Sequence, residues 1–106
     1  MGGATAYAMF ANKLYLVLPV APWELVLGAS VMVPTLDGPV KLTIPAQSRA
    51  GRKLRLAGKG LADNPPGDLY VVLQSVVPES TTARESELYA SLAHESQFNP
   101  RAALGV

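Results

Sequence analysis

The chain has 106 residues, of which 49% are hydrophobic and 16% are charged, and this balance excludes a disordered segment. A chain of this length builds one modest core and is too short for two independent domains. Without cysteine it has no disulfide framework, thiolate metal site or thiol nucleophile, and its one histidine, His94, cannot form a multi-histidine site. We therefore expect no metal and no cofactor. Nine prolines and nine glycines indicate many turns and favour a β-rich fold.

The formal net charge of +1 is unevenly distributed along the chain. Residues 38–62, called the basic segment below, contain six cations and no acid, whereas the remainder of the chain is net acidic. Such a segment can meet phosphate, an acidic partner or only water. Its cations are Lys41, Arg49, Arg52, Lys53, Arg55 and Lys59.

Residues 1–12 contain no Lys or Arg. We expect a disordered leader or a cloning remnant there, and the lack of basic residues argues against a secretory signal. Lys13–Leu18 is rich in β-forming residues and predicts a strand that ends at Pro19. The uncharged runs of the chain are shorter than the roughly 20 residues that a membrane helix needs, so no membrane segment is expected.

A single short helical turn is predicted over Pro22–Leu27. Pro22 stands at the first helical position, Glu24 in the first turn and Gly28 just past the end. We expect this turn to fold onto a sheet with Trp23 inside and with Gly28 in a left-handed conformation. On that expectation, Trp23→Ala costs about 3–5 kcal/mol.

A β-hairpin is predicted around Asp37-Gly38, since this pair lies between the alternating apolar runs Ser30–Pro34 and Val40–Pro45. In the second run the apolar residues share one face and Lys41 lies on the other, so one face is buried and one is wet.

Two further strands follow the hairpin. Arg52–Ala57 alternates between polar and apolar residues, which places Lys53 and Arg55 outward and the leucines between them inward. Asp68–Val77 is a nearly continuous apolar run, typical of a central strand covered on both faces, and Pro78 ends it.

The tail of the chain predicts an amphipathic helix. Thr82 and Glu85 match a capping box, and the helix should end at His94 or Ser96. A terminal amphipathic helix must lay its apolar stripe on its own sheet or on a neighbouring chain. We predict a homodimer held by the tail, with the dimerisation residues Leu88, Tyr89, Leu92 and Phe98.

Two patterns suggest enzymatic chemistry and fail on inspection. In residues 51–60, six residues separate the first glycine from the Gly-Lys pair, where a phosphate-binding loop has four, and glycine follows in place of Ser or Thr. His94 and Glu95 point about 100° apart on a helix, with no nucleophile placed near them. We therefore expect no catalytic residue and no enzymatic activity.

The basic segment leaves two interpretations open, a solvated sheet face or a surface that binds nucleic acid through phosphates. No aromatic residue within it can stack on a base. Binding should then be weak, largely indifferent to sequence and sensitive to salt. The candidate residues for contact with nucleic acid or an acidic partner are Lys41, Arg52, Lys53, Arg55 and Lys59.

Several ordered strings of the chain resemble the second carboxy-terminal domain of DnaJ-type co-chaperones, over about residues 13–78. They are LVLPVAPWE at 16–24, LGA at 27–29, VPTLDG at 33–38, LTIP at 42–45, G-x-x-LRL-x-GKG at 51–60 and GDLY at 67–70. The string SQFNPR at 96–101 is similar to the end of the curved-DNA-binding subfamily, which has no zinc-binding region.

The resemblance implies a mainly β, sandwich-like or barrel-like domain over 13–78, with one short helical turn, and a dimerisation helix and tail over 79–106. It also implies binding of unfolded polypeptides, in a J-domain protein that passes them to a DnaK-type chaperone, and a cytoplasmic location. The DNA-binding branch of the family makes DNA a possible second partner and the nucleoid a second location. No membrane partner is expected.

The chain also departs from the family pattern. The His-Pro-Asp sequence of the J domain is missing, since His94 is followed by Glu95. We therefore expect that this chain by itself does not stimulate a partner ATPase. The resemblance puts the main peptide groove in the first carboxy-terminal domain, for which the chain is too short, so polypeptide contact here should be secondary.

Overall fold

A computed structural model describes residues 7–10, 13–61 and 65–105 of the chain. Strand residues outnumber helix residues, so the expected mainly β class is confirmed. The elements in chain order are β1 (Tyr7–Phe10), β2 (Lys13–Val20), α1 (Pro22–Leu27), β3 (Ala29–Val33), β4 (Val40–Ile44), β5 (Lys53–Leu56), β6 (Leu69–Ser75), α2 (Ala83–Glu95) and a short 3-10 turn, Ala102–Leu104.

Four strands form the larger sheet, in the spatial order β1-β2-β6-β5. Strand β6 lies parallel to β2, with Leu14 opposite Leu69 and Leu18 opposite Leu73, and antiparallel to β5 on its other side. Its interior position agrees with its nearly continuous apolar sequence.

The smaller sheet is the predicted hairpin. Strands β3 and β4 pair antiparallel, with Val33 opposite Val40, and Asp37-Gly38 lies in the connecting turn. Thr35 and Gly38 close that turn by exchanging two backbone hydrogen bonds of 3.0 and 3.1 Å.

The core collects alternate residues from the strands of both sheets, as the two-residue period of side-chain direction requires. One residue of α1 completes it. On the larger sheet Tyr70 and Val72 lie on the opposite face, half-buried rather than covered. The buried apolar residues are Leu14, Leu16, Val20, Leu25, Val33, Leu42, Ile44, Leu69, Val71 and Leu73.

Helix α1 forms where predicted but does not bury Trp23. That side chain is 49% exposed, and Leu25 is the buried residue of the helix. Two residues along a helix differ in direction by about 200°, so a helix of this length cannot turn both toward the core. The expectation of an internal Trp23 is therefore wrong, and the cost of about 3–5 kcal/mol expected for Trp23→Ala no longer has the burial on which it depended. Gly28 has the expected positive φ of 80°, but its ψ of 157° is extended rather than left-handed helical.

The segment 1–12 also departs from expectation where the structure describes it. Residues 7–10 form β1, which pairs antiparallel with β2 through Tyr7 opposite Leu16, so they are not a disordered leader. The phenol of Tyr7 donates a 2.7 Å hydrogen bond to the backbone oxygen of Pro34, beside the hairpin. The rest of the proposed leader, 1–6 and 11–12, lies outside the described residues.

The two sheets do not close into a barrel within the described part of the chain. The overall dimensions are 53 × 33 × 24 Å, with a radius of gyration of 16.8 Å. A compact domain of about this length has a radius near 13 Å, so the molecule is elongated. Across the ranges that the structure describes, no helix is both long and apolar enough to cross a membrane.

Candidate functional site

The start of α2 is fixed by the capping box that the sequence predicts. The Glu85 backbone N–H donates to Oγ1 of Thr82 at 3.0 Å, and the Thr82 backbone N–H donates to the Glu85 carboxylate at 2.7 Å. Two backbone donors that the first helical turn leaves unpaired are satisfied in this way. The helix runs to Glu95 with Ser96 as its C-cap, as expected.

None of the residues of α2 is buried. Leu88 is 52% exposed and Leu92 is 63% exposed, while Tyr89 is partly covered. Beyond the helix, Phe98 is 80% exposed. The four predicted dimerisation residues thus lie in one continuous tail, and none of them is buried within the single chain.

A groove of about 190 Å³ separates α2 from α1. Trp23 forms its α1 side and contributes the only aromatic ring from the sheet region to the described lining. The hydroxyl of Tyr89 is buried and has no hydrogen-bond partner among the described residues. The remaining lining residues are Pro78, Thr81, Glu85, Leu88 and Leu92.

The five candidate residues of the basic segment do not form one strand surface. Lys53 and Arg55 are exposed on β5, as predicted, but Lys41 is exposed on β4 of the other sheet. Arg52 and Lys59 lie in the turns that flank β5. The guanidinium of Arg52 donates to Oγ of Ser48 at 3.4 Å.

Acids from outside the basic segment approach two of its cations. Nε of Arg55 lies 3.7 Å from a carboxylate oxygen of Asp68, and Nζ of Lys59 lies 4.0 Å from one of Asp37. These pairs reduce the positive potential that the sequence window indicates. The contacts are long-range in the chain, and charge counted along the sequence does not reveal them.

Aromatic rings also approach the basic segment, although the segment itself contains no aromatic residue. Tyr15 of β2 and Tyr70 of β6 are opposite each other on the outer face of the larger sheet, with ring centroids 5.4 Å apart. Nζ of Lys53 lies 5.7 Å from the Tyr15 centroid, and Nζ of Lys13 lies 5.4 Å from that of Tyr70. The sequence offered one signal for this surface, the alternation of Lys13 and Tyr15 with buried leucines. The pairing of β2 with β6, which places Tyr70 beside Tyr15, was not predictable from the sequence.

Among residues 7–10, 13–61 and 65–105, no cluster of His, Asp and Glu side chains could hold a metal ion.

The sequence matches a known family of chaperone modules. The family described as the DnaJ C terminal domain matches residues 5–91 of the chain. The chain therefore belongs to the DnaJ C-terminal domain family, and the resemblance seen in its short strings is confirmed.

Three similar relatives share the name Curved DNA-binding protein. The chain is 48% identical over 95 residues to that protein of Coxiella burnetii (strain RSA 493 / Nine Mile phase I), which covers 90% of this chain and 30% of the relative. It is 46% identical over 93 residues to the protein of Pseudomonas putida (strain GB-1), with 86% and 29% covered. For Serratia proteamaculans (strain 568) the identity is 44% over 97 residues, with 90% and 31% covered. The chain thus spans about 30% of the length of these relatives.

Proposed function

We propose that the chain is the dimerisation and secondary polypeptide-binding module of a DnaJ-like co-chaperone. The proposal divides it into a sheet domain over 13–78, to which β1 adds an edge strand, and a dimerisation tail over 79–106. The observation that carries it is the exposure of the apolar residues of α2 and of the segment after it. Residues such as Leu92 and Phe98 remain in water in a single copy of the chain.

A second copy of the tail is the partner that this proposal names. Apolar burial contributes about 25 cal/mol per Å² of surface removed from water, so several exposed large side chains supply a substantial driving force. The elongated shape of the molecule leaves them accessible. The groove beside Trp23 adds an apolar recess in which side chains of the second copy can pack.

Dimerisation is tested by measuring mass in solution. Sedimentation equilibrium or light scattering on the full chain should give a dimer, and truncation after Pro78 should give a monomer. A monomeric full chain at high concentration, or a dimeric truncated chain, contradicts the proposal.

A point substitution with a matched control sharpens this test. Leu92→Asp should dissociate the dimer, because it puts a charge into the proposed apolar interface. Ala90→Asp adds the same charge at a position about 160° around the helix from Leu92 and should leave the mass unchanged. The emission of Trp23, now half exposed, should shift to the blue as the dimer forms.

Polypeptide binding is proposed as weak and dependent on dimerisation. The dimer should delay the aggregation of a chemically unfolded client, and the chain truncated after Pro78 should delay it less. The sequence has no His-Pro-Asp motif, so the chain alone should leave the ATPase rate of a DnaK-type chaperone unchanged. A stimulated rate, or equal protection by the truncated chain, contradicts this part of the proposal.

Nucleic-acid binding through the basic segment is a second candidate function. Lys53 and Arg55 stand exposed on the same face of β5, and the relatives are named for binding curved DNA. Contacts of this kind reach phosphates and weaken steeply as salt rises. The double substitution Lys53→Glu with Arg55→Glu should abolish a low-salt mobility shift of duplex DNA without unfolding the domain. Equal binding after the reversal rejects this candidate.

The proposed location is the cytoplasm, with association with the nucleoid if the DNA-binding candidate holds. Imaging of the fluorescently tagged chain with and without the Lys53→Glu and Arg55→Glu reversal distinguishes the two locations.

A further inference from the structure

The outer face of the larger sheet combines two tyrosine rings with three cations. We call this surface the tyrosine face and define it by Lys13, Tyr15, Lys53, Arg55 and Tyr70. Strands β2, β6 and β5 are adjacent and in register, so these residues are neighbours although they come from three separate parts of the chain. Arg55 is directly opposite Tyr70 across the β6–β5 pair.

Both rings remain accessible from solvent. Tyr15 and Tyr70 are half-buried, whereas the residues that alternate with them on the same strands are buried in the core. The rings are tilted by 31° to each other, and an ammonium group lies over each of them. Lysine and arginine side chains on this face are exposed. Asp68 lies at one edge of this face and contacts Arg55. Among the described ion pairs, none contains either of the two lysines.

This combination fits a ligand with flat rings and a repeated negative charge. An acidic peptide pairs with the cations through its carboxylates, but these side chains have no aromatic ring to stack on the tyrosines. Duplex DNA offers phosphates, but its bases are already stacked inside the helix. A single strand offers both, since its unpaired bases can stack on aromatic side chains while its phosphates meet nearby cations.

We propose that the tyrosine face binds single-stranded nucleic acid, with bases stacked on Tyr15 and Tyr70 and phosphates paired with Lys13, Lys53 and Arg55. The proposal rests on the second candidate function above, because it shares Lys53 and Arg55 with it. It adds the form of the strand and the residues that stack. Arg55 can contribute in part through its guanidinium plane, whereas the lysines act as point charges.

The test compares three fluorescently labelled probes on the full chain at low salt. They are an oligothymidylate of about 16 nucleotides, the duplex of that strand with its complement, and an abasic strand of equal length. The oligothymidylate should bind most tightly, and the abasic strand should lose the stacking contribution while keeping its phosphates.

Two substitutions at one site separate stacking from folding. Tyr15→Leu keeps an apolar side chain on the strand and should weaken oligothymidylate binding by roughly 5- to 150-fold, the range for loss of one stacked base. Tyr15→Phe keeps the ring and should retain the affinity. Lys53→Glu should weaken the binding of all three probes. Arg101→Glu makes the same kind of charge change in the tail and is its control.

The outcomes distinguish this proposal from the one on which it rests. If the duplex binds as tightly as the single strand, and Tyr15→Leu changes neither, the stacking proposal is overturned while binding through the basic segment stands. If no probe binds, both are overturned. If polyglutamate competes as well as an unlabelled oligothymidylate, the tyrosine face takes an acidic polypeptide and the proposal is wrong.

Discussion

The sheet region over 13–78 contains every buried core residue of the described chain, whereas the described residues of the tail over 79–106 include no buried one. Leu16 and Leu73 are buried at the centre of the larger sheet, while Leu92 and Leu104 in the tail are mostly exposed. Both regions have regular backbone structure and well-formed local hydrogen bonds. Local rules therefore suffice to form α2, whereas within the described residues only the sheet region buries apolar side chains in a core.

A core substitution gives the largest expected difference between the two regions. Leu16→Ala should destabilise the fold by about 2–5 kcal/mol, because it removes a buried side chain and leaves a cavity. Leu92→Ala is the matched substitution in the tail and should change stability by no more than about 0.5 kcal/mol. Urea unfolding, followed by circular dichroism at a protein concentration at which the chain is monomeric, measures the free energy of unfolding of both variants. Similar costs at the two sites would mean that α2 packs on its own domain.

Gly60 tests how closely two backbone segments of the sheet region approach each other. A Cβ on Gly60 would clash with the backbone oxygen of Asp68, so Gly60→Ala forces the loop before β6 to move. Overpacking of this kind costs typically about 1–3 kcal/mol. At Gly67 the nearest atom is 3.7 Å away, and Gly67→Ala should be much milder. Thermal unfolding of the two variants compares them, and equal midpoints would contradict the close approach.

The capping box sets a smaller effect that belongs to the tail alone. Thr82→Ala removes the acceptor for the Glu85 N–H and should destabilise α2 by about 1 kcal/mol. Thr82→Ser keeps a hydroxyl acceptor and should behave like the original chain. Helical circular dichroism should fall for the alanine variant while near-ultraviolet signals of the sheet tyrosines persist. Loss of both signals together would show that the two regions unfold as one unit.

An ion pair on the surface of α2 gives the smallest effect. Arg84 and Glu87 lie 3.2 Å apart on exposed side chains. Such pairs contribute only about 0.3–0.5 kcal/mol, and salt screens them. Glu87→Gln breaks the pair with little change in helix propensity, and it should therefore lower helical content slightly at low salt and not at high salt. A large effect that persists at high salt would point to a contact of Glu87 that a single copy does not contain.

Local sequence signals predicted the local structure well. The Asp37-Gly38 hairpin, the turn over 22–27 and the capped helix from Thr82 depend on residues close together in the chain, and all three formed. The predicted burial of Trp23 was wrong because it depends on how α1 is rotated against the sheets. A propensity pattern carries no information on that rotation.

The surfaces of the larger sheet could not be predicted because they depend on which strands are neighbours. The Tyr15–Tyr70 pair exists only because β2 and β6 lie side by side, and the Arg55–Asp68 contact only because β5 pairs with β6. The same limit applies to β1, since Tyr7–Phe10 has little strand signal and is held by the edge of β2. The tyrosine pair, the ion pair and β1 all depend on which strands become neighbours in the folded chain.

The parallel pairing of β2 with β6 has a consequence for the order of folding. Leu14 meets Leu69 across more than half of the chain, so a long loop must close before that pair can form. The β3–β4 hairpin closes over a few residues and needs no such search. During synthesis from the ribosome, β2 must wait with an unpaired edge until β6 emerges, while the hairpin already exists. In that interval the chain exposes an unpaired strand edge of the kind that can pair with another chain.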